Sequence, residues 1–183
     1  HEMTIVSGGS SIQGKIVRLF NAARIGIYEG YGMTETSPVI AVNDPIERIN
    51  VIGTVGTPLE GTELKIAEDG EILTKGPHVM IGYYKDPIQT KEIIDEDGYL
   101  HTGDIGKILD GKYLQITDRK KEIFKLSLGK YVAPQVIENR LKESSYIENC
   151  IVIGENEKFA SAIIIPDMSR IHFWAAKHKI TYS

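Results

Sequence analysis

Apolar residues recur along this chain with two different periods. Met3 to Val6 form a short apolar run that ends in Ser7-Gly8-Gly9-Ser10-Ser11. Ile12, Ile16, Val17, Phe20 and Ala23 then recur at helical spacing, and Ile25 to Tyr28 open a second apolar run. Strand, glycine turn, helix and strand make a crossover unit. Such units build parallel sheets, and ligands bind at the carboxyl ends of their strands. Ser7 to Ser11 and Glu29 to Gly32 are thereby expected at one rim.

From about Gly53 to Thr117 the pattern shortens to strands punctuated by turns. Glu63 to Ala67 and Glu71 to Lys75 flank Glu68-Asp69-Gly70, and Ile105 to Leu109 and Tyr113 to Thr117 flank Asp110-Gly111-Lys112. Both are hairpin signals, and together they predict a small antiparallel β unit. Pro87 to Ile94 reads as a short helix ahead of the acidic turn Asp95-Glu96-Asp97-Gly98. Beyond Asp118 the pattern predicts a strand near Ile123 to Lys125, a glycine turn at Gly129, and a helix with Pro134 at its first position. Two apolar strands follow, Cys150 to Ile153 and Phe159 to Ile165. A last helix starts near Asp167, with Met168, Ile171, Trp174 and Ala175 on one face. The abrupt ends of this pattern read as those of a piece of something longer.

Composition adds limits. With 183 residues, 42% hydrophobic and 25% charged, the chain sits at the globular average, which excludes disorder, collagen and a disulfide scaffold. One cysteine fits a reducing compartment. No apolar stretch reaches transmembrane length and no signal peptide is visible, so the expectation is a soluble, cytoplasmic protein. The net charge of −4 hides an asymmetry, acidic before Asp118 and basic after it. The basic part is suited to a polyanion such as nucleic acid, phosphate or a nucleotide; ordinary solvated surface explains the charge equally well.

Three segments carry candidate chemistry. In Tyr28 to Pro38, Gly30 and Gly32 let backbone approach a ligand, and Tyr31 offers a flat face for a base. Thr34 offers a hydroxyl for a phosphate oxygen, and Glu35 a hard oxygen for Mg2+. In Tyr99 to Asp104, an aspartate follows a glycine at a strand end, where Asp104 can accept from both hydroxyls of a ribose or simply cap the turn. His101 reads as structural. In Asp118 to Lys125, Arg119 can fork onto ribose or phosphate oxygens. Nucleic acid is disfavoured because no aromatics interleave with these cations. Taken singly, each residue also has an ordinary structural reading. A P-loop, paired metal-spaced Cys or His, and the Gly-x-Ser-x-Gly elbow are absent from the sequence, which argues against those classes.

Read in order, the motifs are Ser-Gly-Gly (7–9), Tyr-Gly-Met-Thr-Glu (31–35), Gly-Glu-Ile-Leu-Thr-Lys-Gly-Pro (70–77) with Met80 to Tyr84, His-Thr-Gly-Asp (101–104) and Asp-Arg-Lys-Lys-Glu (118–122). This series resembles that of the adenylate-forming, acyl-activating enzymes. The Phe124-Lys125-Leu126 step and the spacing before Gly129 resemble the long-chain fatty acid CoA ligases within them.

The resemblance implies the end of a large α/β domain, as a parallel-sheet unit (1–56) and an antiparallel β subdomain (57–117), followed by a hinge and a truncated small α+β domain (118–183). It implies ATP-dependent conversion of a fatty acid to acyl-adenylate and transfer to coenzyme A. ATP/AMP and Mg2+ would be bound, and the fatty acid, ATP and CoA would be small-molecule partners. Gly9, Ser10 and Ser11 would line the adenine and acyl side, Tyr31 would stack on adenine, and Glu29, Gly30 and Gly32 would border it. Thr34 would touch the α-phosphate, Glu35 would hold Mg2+, and Asp104 with Arg119 would clasp the ribose. Lys121 matches the hinge position and Lys125 the lysine that faces the site during thioester formation. The amphipathic substrate implies peripheral association with the inner membrane face. The phosphate loop and the C-terminal adenylation lysine of the family are not in these residues, so the chain alone is expected to be inactive. The alternatives are another acyl or aryl acid adenylating enzyme and a noncatalytic nucleotide-binding module of the same fold.

Overall fold

The structure is a computed structural model and describes residues 3–180. The chain forms two compact units, His1–Lys120 and Lys121–Ser183.

The first unit opens with β1 (Thr4–Ser7), α1 (Gly14–Ala22) and β2 (Gly26–Gly32). β1 and β2 run parallel, Thr4 opposite Gly26 and Ser7 opposite Glu29, so the loop after β1 and the end of β2 share a rim. Val17 is the fully buried residue of α1. The helix is stopped by Arg24, which adopts φ 61° in the left-handed region, while Arg24 N–H and Ile25 N–H return to Asn21 O and Phe20 O. This Schellman closure is made here without glycine. Ile27, Tyr28 and Glu29 are buried in succession, which marks β2 as an inner strand. A 3-10 turn over Thr34–Thr36 leads to β3 (Val39–Val42), antiparallel to β2, and β4 (Thr57–Pro58) completes the sheet in the order β1-β2-β3-β4. The sheet is therefore mixed, with its parallel part confined to the crossover pair.

The second sheet is an antiparallel meander of β5 (Glu63–Ile66), β6 (Glu71–Lys75), β7 (Leu100–Leu109) and β8 (Tyr113–Arg119). Gly70 (φ 87°) makes one hairpin turn, and Asp110 (φ 50°) with Gly111 (φ 69°) the other. Positive φ at both central residues of the second turn matches the twist of the flanking strands. The short helix α2 (Pro87–Ile93) is capped by Asp86, whose carboxylate accepts from Gln89 N–H at 2.9 Å. The two sheets share one core: Ile40 and Ala41 of β3 cluster with Ile72 of β6 and Leu114 of β8, all fully buried. Residues 1–56 and 57–117, separated on the sequence pattern, thus lie in one compact unit.

One sequence expectation changes here. β7 begins at Leu100 instead of Ile105, so Asp104 lies inside a strand and not at its end. The two compact units divide between Lys120 and Lys121, β8 carrying the chain through Arg119.

The second unit contains β9 (Phe124–Lys125) paired with β10 (Tyr131–Val132), then α3 (Pro134–Leu141), the hairpin of β11 (Ile147–Ile153) and β12 (Ser161–Pro166), and α4 (Met168–Lys177). Pro134 opens α3, where its missing N–H costs no bond. Asp167 caps α4 by accepting from Arg170 N–H at 3.0 Å. Of the apolar face expected on α4, Ala175 is buried and Ile171 half-buried, whereas Met168 and Trp174 stay exposed. Among the described residues, no helix is long and apolar enough to cross a membrane.

Candidate nucleotide site

Three strands of the first unit converge on one cluster of side chains. Tyr31 comes from the end of β2, Asp104 from β7 and Arg119 from the last position of β8. The Tyr31 hydroxyl donates to Asp104 Oδ2 at 2.6 Å, across 73 residues of sequence. Arg119 Nε stands 3.7 Å from Asp104 Oδ1. Burial and the bond to Asp104 push the Tyr31 hydroxyl far above its ordinary pKa, so it remains a proton donor through any working pH. Asp104 is largely covered, while the Arg119 side chain is 63% exposed and open to an incoming anion or diol. A carboxylate has about four lone-pair positions. Asp104 can therefore hold the tyrosine and still accept hydroxyls from a ligand.

The register of β7 against β8 makes this pairing. A bulge between Ile105 and Gly106 shifts the ladder so that Asp104 faces Arg119 and Ile105 faces Asp118. A second irregularity, between Glu71 and Leu73 of β6, gives β7 its extra residues, and Gly103 takes φ 72° there.

The turn after β2 supplies the next group. Gly32 sits where a Cβ would lie 1.7 Å from the Pro38 carbonyl oxygen, so only glycine lets β3 return this closely. Gly30 is under no such demand, its nearest contact being Val42 Cγ2 at 3.4 Å. Thr36 is fully buried and ties the turn, accepting from Met33 N–H at 3.1 Å and donating toward Met33 O and Pro38 O. This leaves Thr34 exposed and Glu35 half-buried on the outside of the turn. Glu35 Oε1 accepts from the Tyr83 hydroxyl at 2.7 Å, and the Glu35 carbonyl accepts from Met80 N–H at 2.8 Å. The second carboxylate oxygen remains for a hard cation. One protein carboxylate fits Mg2+ that is otherwise held by phosphates and water, and no cluster of three or more acidic, His or Cys ligands occurs among the described residues.

Glu29 and the loop after β1 close the other side. Glu29 is 9% exposed, and its Oε1 accepts from Ile12 N–H at 3.4 Å. Burial raises its pKa, with the Ile12 bond pulling weakly the other way. Gly9, Ser10 and Ser11 are exposed, and Gly9 takes φ 83°. The structure thus brings Tyr31, Asp104 and Arg119 into one bonded group and puts Glu29, Gly30 and the 9–11 loop along the same sheet edge. Lys121 and Lys125 belong to the second unit, where Lys125 Nζ lies 5.3 Å from the Tyr131 ring centre. Tyr83 and Glu71 were not singled out as site residues from sequence. Their signal was membership of the Gly-Tyr-Tyr and Gly-Glu motif segments.

Comparison with known proteins gives the class. The family model described as AMP-binding enzyme matches residues 2–84, and the one described as AMP-binding enzyme C-terminal domain matches residues 121–179. The chain belongs to the AMP-binding, adenylate-forming enzymes.

Within that family it is similar to long chain acyl-CoA synthetase 6, peroxisomal, of Arabidopsis thaliana, at 41% identity over 96% of this chain and 27% of that protein. It is also 38% identical to human long-chain-fatty-acid–CoA ligase 1 over 94% of this chain and 26% of that protein. The chain therefore spans about a quarter of the length of these relatives. The solved O-succinylbenzoate coenzyme A synthetase from Bacillus subtilis, in complex with ATP and magnesium ion, superimposes with a TM-score of 0.77 at 26% identity, over 90% of this chain and 36% of that one.

Proposed function

We propose that this chain forms the ribose-clasping rim and pivot of a long-chain fatty acid CoA ligase that works through an acyl-adenylate. The observation that carries the reading is the Tyr31–Asp104–Arg119 group, a base-sized ring bonded to a carboxylate that stands beside a guanidinium. An aromatic face, an acceptor for a vicinal diol and a cation together match adenosine 5′-phosphate. The long-chain substrate is supported by the identity of about 40% to long-chain synthetases.

In the proposed reaction a fatty carboxylate oxygen attacks the α-phosphorus of ATP and pyrophosphate leaves. The sulfur of CoA then attacks the acyl carbon, AMP departs with the broken bond's electrons, and the thiol proton passes to solvent. Tyr31 stacks on adenine, Asp104 and Arg119 hold the ribose, Thr34 donates to the α-phosphate, and Glu35 holds Mg2+, which supplies charge neutralisation at the phosphates. Gly9, Ser10, Ser11, Glu29, Gly30 and Gly32 shape the adenine and acyl edge. None of these residues transfers a proton in the step; they position and stabilise developing charge. Lys121 is the pivot that exchanges one face of the second unit for another between half-reactions, with Lys125 presented for thioester formation. Peripheral membrane association follows from the substrate's partition into bilayers. Because the chain spans only about a quarter of its relatives, it is inactive by itself.

The test is fatty-acid-dependent ATP–pyrophosphate exchange and CoA thioester formation by the full-length ligase that contains these residues. Palmitate-class acids are expected to support both steps and Asp104→Ala to abolish or strongly weaken ATP use. Preference for aryl or amino acids, or an Asp104→Ala variant with the parent ATP KM, would sink the reading.

A further inference from the structure

Glu71 is a buried carboxylate that no step above uses. It opens β6, is 4% exposed, and its carboxylate accepts from three donors. Oε1 accepts from Gly103 N–H at 2.9 Å. Oε2 accepts from His101 Nδ1 at 3.0 Å and from Lys120 Nζ at 2.9 Å. Lys120 is held a second time by Asp69 Oδ2 at 2.6 Å, and a third time through its backbone N–H, which donates to Gly103 O at 2.8 Å. Asp69 in turn accepts from Glu71 N–H at 3.1 Å. Thr102 adds a bond to Ile72 O at 2.7 Å and accepts from Asp104 N–H at 3.2 Å.

These bonds fall on two places that matter to the proposed reaction. Gly103, at φ 72°, is the bulge residue that immediately precedes Asp104. Lys120 lies between Arg119, which faces Asp104, and Lys121, the first residue of the second unit. A bulge and a strand end are the parts of a sheet with the fewest ladder bonds, so they would otherwise be the least fixed. One carboxylate ties both of them to β6.

We infer that Glu71, acting through Gly103 and Lys120, is a positioning residue: it fixes the Asp104–Arg119 ribose clasp and stops backbone rotation at the pivot from running back into that clasp. The inference rests on the ribose and pivot roles proposed above. Burying a carboxylate is costly unless donors surround it, and here the donors come from both segments to be held. The ammonium of Lys120 is therefore a lock as well as a counter-charge. If rotation about Lys121 moved the Lys120 backbone, Gly103 O and two carboxylates would lose their partner together.

The experiment compares Glu71→Gln, Lys120→Met, Lys120→Arg and Asp104→Ala in the full-length ligase. Gln keeps an acceptor for Gly103 N–H but presents an amide to His101 and Lys120, whereas Met keeps the stem of Lys120 and removes its charge. ATP KM and fatty acid KM are measured in pyrophosphate exchange, AMP binding by calorimetry, and thioester formation from synthetic acyl-adenylate. Glu71→Gln and Lys120→Met are expected to raise ATP KM and AMP Kd about tenfold, with fatty acid KM within about twofold. They should also change the ratio of the two half-reaction rates. Lys120→Arg, which still reaches both carboxylates, is expected to restore most of the affinity. Variants that melt earlier but keep the parent ATP KM and half-reaction ratio would overturn the inference, since a structural bond network alone would do that. If Asp104→Ala leaves ATP KM unchanged, the ribose reading itself fails and takes this inference with it; if only Asp104→Ala weakens ATP, the inference alone fails.

Discussion

Replacing Tyr31 by Phe separates the two jobs assigned to that side chain. The ring stays to face adenine, and only the hydroxyl that donates to Asp104 Oδ2 at 2.6 Å is lost. A hydrogen bond to a charged acceptor contributes about 1.5–3 kcal/mol. The Asp104 side chain is 19% exposed, so water replaces part of what is removed and the lower end applies. A loss of about 1.5 kcal/mol corresponds to roughly tenfold in affinity. Tyr31→Ala also removes the stacking surface, worth about 1–3 kcal/mol per base, so its ATP KM should rise a further tenfold or more. The assay is pyrophosphate exchange by the full-length ligase at saturating fatty acid, with thermal unfolding as a control on the fold. A Phe variant with the parent ATP KM refutes the argument that the hydroxyl orients the ribose carboxylate. A Phe variant as weak as the Ala variant refutes the adenine role of the ring.

Other outcomes follow from the same geometry. Gly32→Ala forces a Cβ to within 1.7 Å of Pro38 O and should lower unfolding stability by about 3 kcal/mol or more; Gly30→Ala, whose Cβ would meet Val42 Cγ2 at 3.4 Å in ordinary van der Waals contact, should be neutral or stabilising by up to about 1 kcal/mol in the same denaturation assay. Glu29 and Glu71 should have opposite pH signatures. Burial holds the pKa of Glu29 above 4.5 in the fold, a shift that favours its protonated form, so its contribution is present at acid pH and lost as pH rises through the folded value. Glu29→Gln is thus expected to melt above the parent at neutral pH, the gap closing as the medium is acidified. For Glu71, burial acts upward but the bonds from Lys120, His101 and Gly103 prevail and hold its pKa below 4.5, so its stabilisation is present at neutral pH and lost as pH falls through the folded value. Glu71→Gln should melt below the parent at neutral pH and converge with it in acid; melting curves over a pH series check both signs.

Much of this molecule is legible in its sequence because local chemistry and tertiary structure agree. Asp110-Gly111 takes positive φ at both residues, as a tight hairpin needs, Pro134 opens a helix, and Gly70 turns between β5 and β6. Tyr31, Thr34 and Glu35 stand out because Gly32 allows a close return that no other residue permits. Partners set by distant folding were less visible. Nothing local to Glu71 marks it as buried, since its donors arrive from positions 101, 103 and 120. Tyr83 reaches Glu35 across 48 residues. The α4 face failed for a related reason: helical periodicity names the apolar positions, but coverage depends on what packs there, and only the Ile171–Ala175 stripe is covered among the described residues.

The proposed ribose clasp shows how a register can defeat a pattern. Extending the hairpin ladder of Leu109 opposite Tyr113 and Lys107 opposite Gln115 would set Asp104 opposite Asp118, two carboxylates facing each other, with Arg119 opposite Gly103. Like charges directly across a ladder are destabilising. The bulge between Ile105 and Gly106 slides the ladder by one residue, which exchanges that repulsion for Asp104 opposite Arg119. Asp118 moves opposite Ile105 and is fully buried, with one oxygen accepting from Arg119 N–H at 2.7 Å. The one-residue slip therefore assembles the site and fixes the end of β8 in the same move. Deleting Thr117 would remove the extra residue of β8 and leave Asp104 opposite Arg119 in an unbroken ladder. That variant should keep more nucleotide affinity than Arg119→Ala, which removes the cation; an equal loss in AMP binding would refute the argument that the bulge serves only to set the Asp104–Arg119 register.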